Sequence, residues 1–409
     1  MTRTTIRSED ITAGQVKAAD LASDAVDTTG IQTDIAILGF KVAANGSLAK
    51  YDLVDQTIDA FEDATGVDAS GSTNELRNAS NYYIGGVSVS GGSAAFTSTG
   101  ASTWTAPTPS PSSIEVLITA GGGSGGGKYY AAGGGAGGVV HAATYSVTAG
   151  VVYDLTVGVG GGAASSTVGN DGSDSVFNVN AEGSGITMTA VGGGGGGYGT
   201  GSNSGNGRAG GSGGGGAEYG TVRTGGASTQ GAVSGATVYG NAGGNGYENN
   251  NNYSASGGGG ATQAGRWADA TDGRGGAGKL FSNFTGYGTT SGNVASSGSD
   301  GGYFAGGGGG AGYSQAPSSG GVGGGGTSSR GNPADDATAG LANTGGGGGG
   351  GCHTSTPSGF AGGSGFVGIY YASSTSVLDL TLISNATTAE AVPTKGDLVM
   401  TYTNGAGTA

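Results

Sequence analysis

Residues 113–130 read "SIEVLITAGGGSGGGKYY". A β-branched stretch, Ile114–Thr119, runs straight into glycine, and the glycines end on Lys128. Counted from Gly122, the spacing is G-x-x-x-x-G-K, closing on Gly127 and Lys128, which is the spacing of a phosphate-cradling loop. Such a loop needs Ser or Thr after the lysine to hold magnesium, and a helix whose N-terminus meets the phosphates. Here Tyr129 follows, and "YYAAGGGAGGVV" is no helix. A second match, "GRGGAGKL" at 273–280, fails the same way at Leu280. In a chain with 100 glycines among 409 residues, chance matches are expected. The stretch therefore reads as a strand that hands the chain to a glycine segment, and the fold turns on what orders such segments.

Glycine is unevenly placed. Residues 1–120 hold 11 glycines and 369–409 hold 3, which leaves 86 in the 248 residues 121–368. Charged residues make up 10% of the chain, against about 25% in ordinary domains, and the net charge is −14. That balance argues against nucleic acid, whose phosphates need a basic surface. Cys352 has no partner for a disulfide within the chain. Two histidines supply little for metal chemistry: His141 stands alone in "GVVHAATYS", and Cys352–His353 is one pair where zinc needs four ligands. No run of eighteen apolar residues marks a membrane span. The opening "MTRTTIRSED" lacks the apolar core of a secretory leader.

The first region, 1–33, places Ile6, Ile11, Val16, Leu21, Val26 and Ile31 at intervals of five. That period is neither 3.6 nor 2, so the residues form no stripe on one helix or strand. The expectation is an extended arm that buries them against copies of itself or docks on a partner; the alternative is a flexible arm with chance spacing. Residues 34–86 read as a small mixed α/β segment, with short strands around Ile35–Val42 and a helix in "DLVDQTIDAFEDA" at 52–64. The acidic residues Asp52, Asp55, Asp59, Glu62 and Asp63 would then lie on its solvated face.

From 87 to 190 the chain is strand-like, in β-branched and alternating runs separated by Gly, Pro or Asn-Asp-Gly turns. In "VVYDLTVGV", Val151, Tyr153, Leu155, Val157 and Val159 share one face. A last strand, "GFVGIYYA", stands at 365–372. Between them lies an insert, 191–363, with 13 large apolar residues (Val, Leu, Phe, Trp) among 173. It cannot form an ordinary hydrophobic core, and its composition by itself is that of a linker. Collagen is excluded by the lack of a G-X-Y period and by only 7 prolines. The folded alternative is a sheaf of extended polyglycine II segments, bonded backbone to backbone because no Cβ keeps them apart. The expected class is mainly β: an antiparallel β platform bearing a glycine-rich insert of packed polyglycine II segments, with an extended N-terminal arm. The domains are 1–33, 34–86, 87–372 and, from 373 to 409, the start of a C-terminal β-module.

The stretches "FTSTGASTWTAPTPSPSSIEVLITAGGGSGGG", "GGGAGGVVHAATYSVTAGVVYDLTVGVGG", "GITMTAVGGGGGG", "ANTGGGGGGG" and "GGSGFVGIYY" together resemble the glycine-rich domain of bacteriophage tail-fibre and adhesin proteins. The resemblance covers about 90–372. "LGFKVAANGSLAKYDLVDQTIDAFEDATGVDAS" also resembles segments near the start of phage structural proteins, and "LDLTLISNATTAEAVPTKGDLVMTYTNGAGTA" the opening strands of a β-module that further strands normally follow. The resemblance implies a virion tail-fibre protein, made in the host cytoplasm and acting outside it, whose loops contact the host surface. A purely structural virion component (fibre shaft, collar or decoration protein) is the other reading it allows. Implied partners are further copies in a homotrimer, other tail proteins, and a host glycan or outer-membrane component.

Binding loops are expected at the non-glycine interruptions. "GYENNNNYSASG" offers Tyr247, Glu248, Asn250 and Tyr253, rings for sugar C–H faces and amides for hydroxyls. "GRWADATDGRGG" adds Trp267, Asp269 and Asp272, and "KLFSNFTGYG" adds Phe281, Phe284 and Tyr287. Capping of the glycine sheaf is the competing role for each aromatic. "GNDGSDS" at 169–175 lacks the distal glutamate of a calcium loop and reads as a turn. Two histidines and no nucleophile elbow leave no hydrolytic triad. The protein is therefore expected to be no enzyme, with no cofactor and no metal.

Overall fold

Strand polarity sets the direction of the glycine segments that adjoin the strands. The structure, a computed structural model, describes residues 87–376 except 184, 200–204, 218–222, 247–253, 269–272, 291–300, 313–316, 330–336 and 353–357. It also describes 50–53, 56–59, 67–68, 70–72, 75–77, 83–85 and 382. The arm residues Ile6, Ile11, Val16, Leu21, Val26 and Ile31 lie outside the described residues, as does nearly all of 377–409. The chain divides into two units, Met1–Ser88 with Thr375–Ala409, and Val89–Ser374.

In the first unit, β1 (Lys50–Leu53) pairs antiparallel with β2 (Gln56–Asp59), Tyr51 opposite Ile58. The helix expected at 52–64 is thus corrected: Asp52, Leu53 and 56–59 are strand. Leu53 stands opposite Gln56 at the end of the pairing, and β-branched Thr57 and Ile58 favour the pleated form. β3 (Glu75–Arg77) pairs with β4 (Tyr83–Gly85). β5 (Val87–Val89) pairs with the last strand, Ser374–Ser376.

The second unit opens with β6 (Gly92–Phe96), β7 (Gly100–Thr105), β8 (Ile114–Thr119), β9 (Val139–Tyr145) and β10 (Val152–Val157). β11 (Ala164–Ser165), β12 (Ser175–Phe177), β13 (Met188–Ala190) and β14 (Thr237–Tyr239) follow. The later strands are β15 (Lys279–Leu280), β16 (Tyr303–Phe304), β17 (Ser358–Gly359), β18 (Phe366–Tyr371) and β19 (Ser374–Ser376). Two antiparallel sheets result, ordered β14-β9-β8-β18-β6 and β13-β12-β10-β7. Ile114, Val116 and Ile118 of β8 and Val367 and Ile369 of β18 face Trp104, Tyr153, Leu155, Phe177 and Met188 across one buried core. Tyr153 stacks on Phe177 at 5.9 Å, and its hydroxyl accepts the Thr148 amide. The five-stranded sheet is covered on its other face too. There Leu117, Val139 and Phe366 pack against Phe281, Phe284 and Phe304. β8 is therefore buried on both faces, which explains why "IEVLIT" is apolar almost throughout. Among the described residues no helix is long and apolar enough to cross a membrane.

The glycine segments are continuous with the strands. β8 passes into 121–127, 131–138 passes into β9, β13 into 191–197 and β16 into 305–311. Their amides follow a three-residue rule. Gly121, Ser124 and Gly127 donate to Ser173, Asn170 and Thr167; Gly122 and Gly125 to Gly363 and Phe360; Gly123 and Gly126 to Gly135 and Ala132. Consecutive residues thus bond three different neighbours, and residues three apart return to the same one. Segment 131–138 does the same, donating to 345–351, 191–197 and 256–259, while 121–127, 210–217 and 305–311 donate to it. It is surrounded by six segments.

Glycine is present here because of close approach, not because of its backbone freedom. Among the glycines of these segments and of 255–261, Gly345 alone has a left-handed φ, 69°. A Cβ on Gly134 would lie 2.1 Å from the Gly123 carbonyl oxygen, and one on Gly347 2.0 Å from that of Gly134. Where no segment flanks the sheaf, side chains accept instead. Asp174 and Asp171 take the amides of Gly192 and Gly195, again three residues apart, and Gln230 takes that of Val191. Asp171 also pairs with Arg208 at 3.0 Å. This gives "GNDGSDS" its role at the flank of the sheaf.

Gly134→Ala should cost about 3 kcal/mol or more, since overpacking is compounded by broken amide pairing. Gly231→Ala, with nothing within 4 Å of the new methyl, should stay within about 0.5 kcal/mol; thermal melts compare the two. Asp171→Ala should expose the Gly195 amide to hydrogen exchange while Asp171→Asn preserves its protection, because the acceptor oxygen, not the charge, closes that bond.

Candidate functional site

Segments 191–197, 210–217, 305–311 and 345–351 run away from the sheets alongside 121–127. Their bonds record it: Gly193 and Gly196 donate to Gly121 and Ser124, Gly194 and Gly197 to Ser212 and Gly215, and Gly348 and Gly351 to Gly123 and Gly126. Segments 131–138 and 255–261 run back, antiparallel to them. The outer ends are joined to one another. Ala131 donates to Gly351, Ala311 to Ala131, Ala255 to Ala311, Ala132 to Gly197 and Ala217 to Gly205. Bridges tie Tyr129 to Gly199 and Ser254 to Gly312. The methyls of Ala132, Ala217 and Ala255 cluster in this layer. One face, opposite the sheets, is thus built from the described ends of many segments.

Tyr247, Glu248, Asn250 and Tyr253 lie outside the described residues, but the described residues flanking 247–253 belong to this outer end. Gly246 donates to the Arg223 carbonyl, and Ala255, after Ser254, to Ala311. Asp269 also lies outside them; its described neighbour Ala268 donates to Ser256 Oγ at 3.2 Å. Trp267 is 64% exposed, on a segment whose Arg266 accepts from Gly257. Tyr287 is 40% exposed, with its ring 5.2 Å from that of Phe366. Phe366 pairs with Thr119 at the base of the sheaf. The structure therefore does not bring Trp267 and Tyr287 together. Phe281 and Phe284 are buried in the packing against the five-stranded sheet.

The first turn of the outer face is Lys128–Tyr130, which lies outside the expected binding loops. Lys128 and Tyr130 adopt left-handed φ values of 76° and 43°, a cost of about 1–2 kcal/mol for each non-glycine residue. Tyr130 is buried against Ala311 and Cys352. The Lys128 ammonium stands 5.7 Å from the centre of the Tyr129 ring. The turn's mark in the sequence is three large residues between two glycine runs, where the lysine matches only the spacing of a phosphate loop.

Two groups singled out for chemistry have structural partners. Burial pushes the Cys352 thiol up to about 11, against a backbone hydrogen bond from Tyr130, and its Sγ donates to the Gly312 carbonyl at 3.3 Å. His141 is not isolated: its Nε2 lies 2.8 Å from Glu115 Oε1 across the outer face of the five-stranded sheet. Glu115 Oε2 accepts from Asn283 at 2.6 Å, and Phe281 covers the imidazole at 5.0 Å. No group of three metal-ligating residues occurs among the described residues.

Burial raises the Glu115 carboxyl, but the hydrogen bonds from His141 and Asn283 and the charge of His141 outweigh it and leave it below its ordinary 4.5. The folded protein thus favours the carboxylate. The stability this adds is present above 4.5 and lost as pH falls through the lower folded value. Glu115→Gln should cost about 1 kcal/mol at neutral pH, and its gap from wild type should close on acidification, as read by denaturant melts across pH.

Comparison with curated proteins finds no match. A family model described as a glycine-rich domain matches residues 97–372, which takes in the sheaf and both sheets except β6. The match spans more than half of the chain, and the protein belongs to this glycine-rich domain family.

Proposed function

We propose that the glycine segments are polyglycine II helices, and that the protein is a bacteriophage tail-fibre or receptor-binding protein that contacts the host surface with the loops of the outer face. The three-residue alternation of bonding partners supports the first part, since polyglycine II repeats every three residues and leaves its amides for neighbours. The observation that carries the second part is the single outer face, where described ends of many segments meet. A rigid support of that kind lets short loops of unrelated sequence sit side by side. Loops on a fixed scaffold are where binding concentrates. Tyr247, Glu248, Asn250, Tyr253 and Asp269 belong to such interruptions, and Trp267 stands beside one. Tyr287, at the base, would contact a receptor separately from them.

The period-five arm, with Ile6, Ile11, Val16, Leu21, Val26 and Ile31, would join copies into a homotrimer or dock on other tail proteins. Several copies then convert weak single contacts into avid attachment. In this reading the protein resides in the virion, and its partner outside is a host glycan or outer-membrane component. The second reading, a structural virion protein without a receptor site, is favoured by the sheaf itself, whose described amides are spent on internal bonds.

Replacing 247–253 and 269–272 in the virion with Gly-Ser stretches of equal length should lower adsorption to host cells at least tenfold at an unchanged yield of intact particles. Full adsorption would reject the receptor role, and misassembled particles would favour the structural one.

A further inference from the structure

A sheet ends on strands whose outward amides and carbonyls have no neighbour, and proteins guard such edges with short strands, charge or a covering group. The two large sheets end on β14, β6, β13 and β7. β13 and β14 are three residues long. Gln230 Nε2 donates to the Thr189 carbonyl of β13 at 3.3 Å, and the Lys279 ammonium lies 5.8 Å from the centre of the Tyr239 ring of β14. β6 is partly buried at four of its five residues. β7 carries none of these guards. It is six residues long, and Gly100, Ala101, Thr103 and Thr105 are exposed. Among the described residues it pairs with β10 alone, and no other hydrogen bond reaches it. A Cβ on Gly100 would meet nothing within 4 Å. β7 also lies within 78–114, the longest run of the chain without Asp, Glu, Lys, Arg or His.

We infer that β7 joins copies of this chain: it pairs antiparallel with β7 of a second copy across a two-fold axis. The chemistry of the edge selects that occupant. A charged strand finds no counter-charge along β7, so the fitting strand is uncharged and has an open edge of its own, and a second β7 has both properties. Copies that each carry a net charge of −14 repel one another, and this uncharged edge is where that repulsion is weakest. A two-fold pairing also closes both edges at once, whereas an edge left open templates further chains. Residues opposed across an antiparallel pair point to the same face, so the axis lies at a single residue of β7. Thr103 is that residue. The overlap is then 101–105, which leaves out Gly100 with its φ of 103°, and two threonines meet at the axis, a favourable cross-strand pair. The two four-stranded sheets become one sheet of eight. Where the arm at 1–33 docks on other tail proteins the result is a dimer; where it joins three copies, β7 links one assembly to the next.

The test uses the full chain with single added cysteines, oxidised by copper phenanthroline and run on denaturing gels without reductant, which read covalent dimers whatever the arm does. Thr103→Cys should cross-link most of the protein into dimer, because opposed Cα atoms stand about 4.5–5.5 Å apart, within disulfide reach. Val152→Cys, opposite Thr105 on β10 and 48% exposed, should give roughly tenfold less dimer, since the two β10 strands would be three strand spacings, about 14 Å, apart. Thr103→Lys opposes two like charges at the axis and should halve the mass in sedimentation. Thr103→Val, uncharged and β-branched, should keep the wild-type mass. The inference is overturned if Thr103→Cys cross-links no more than wild type or Val152→Cys, or if folded Thr103→Lys sediments as wild type does. Should Thr103→Lys fail to fold, the cysteine comparison decides alone.

Discussion

Everything in the glycine-rich unit depends on amide-to-carbonyl hydrogen bonds between segments that carry no Cβ. Each such bond contributes about 0.5–1.5 kcal/mol net, while ordering glycine costs more conformational entropy than ordering any other residue. An ordinary domain offsets that entropy with apolar burial, but 191–363 has 13 large apolar residues to offer. The sheaf therefore tolerates few unpaired amides. This is why Asp171, Asp174 and Gln230 stand where a neighbouring segment is missing. A buried amide left open costs more than a made bond contributes.

A sheaf of glycine has a second weakness, because its bonds look the same after a slip of three residues. Glycine-rich pairing specifies register poorly. The sandwich supplies what is missing. Its core of Ile114, Val116, Ile118, Tyr153, Leu155, Phe177 and Ile369 fixes the strands, and β8, β9, β13 and β16 fix where adjoining segments start or end. The clustered methyls of Ala132, Ala217 and Ala255 add a lock near the outer end. Apolar burial sets direction and register, and backbone bonding extends them outward, so the outer face inherits its order from a core at the other end.

The strands were legible because β-branched alternation reports a half-buried sheet. The alternation in "VVYDLTVGV" predicts Val151, Tyr153, Leu155, Val157 and Val159 on one face; the first four pack in the core, whereas the strand ends at Val157 and Val159 is 50% exposed. The helix at 52–64 was misread because Leu53, Ile58 and Phe61 sit near helical spacing, and spacing alone does not see the cross-strand partner that pairs Tyr51 with Ile58. His141 read as isolated for a similar reason. Its partner Glu115 is 26 residues away, and strand pairing, invisible to local pattern, brings them together. The prominence of Lys128 was legible, but its setting was not, since a left-handed φ at lysine leaves no mark in composition.

By itself the sequence determined that the chain is mainly β and that the glycine body has no hydrophobic core of its own. Those follow from residue type and period, which act locally. The tertiary structure alone decided which segments neighbour which, that 131–138 is central, that Phe281 and Phe284 cover a sheet, and that the outer ends meet on one face. Glycine carries no side chain to encode a neighbour. The identity of each partner is therefore set by the strands that aim the segments and by the close approach that a missing Cβ permits.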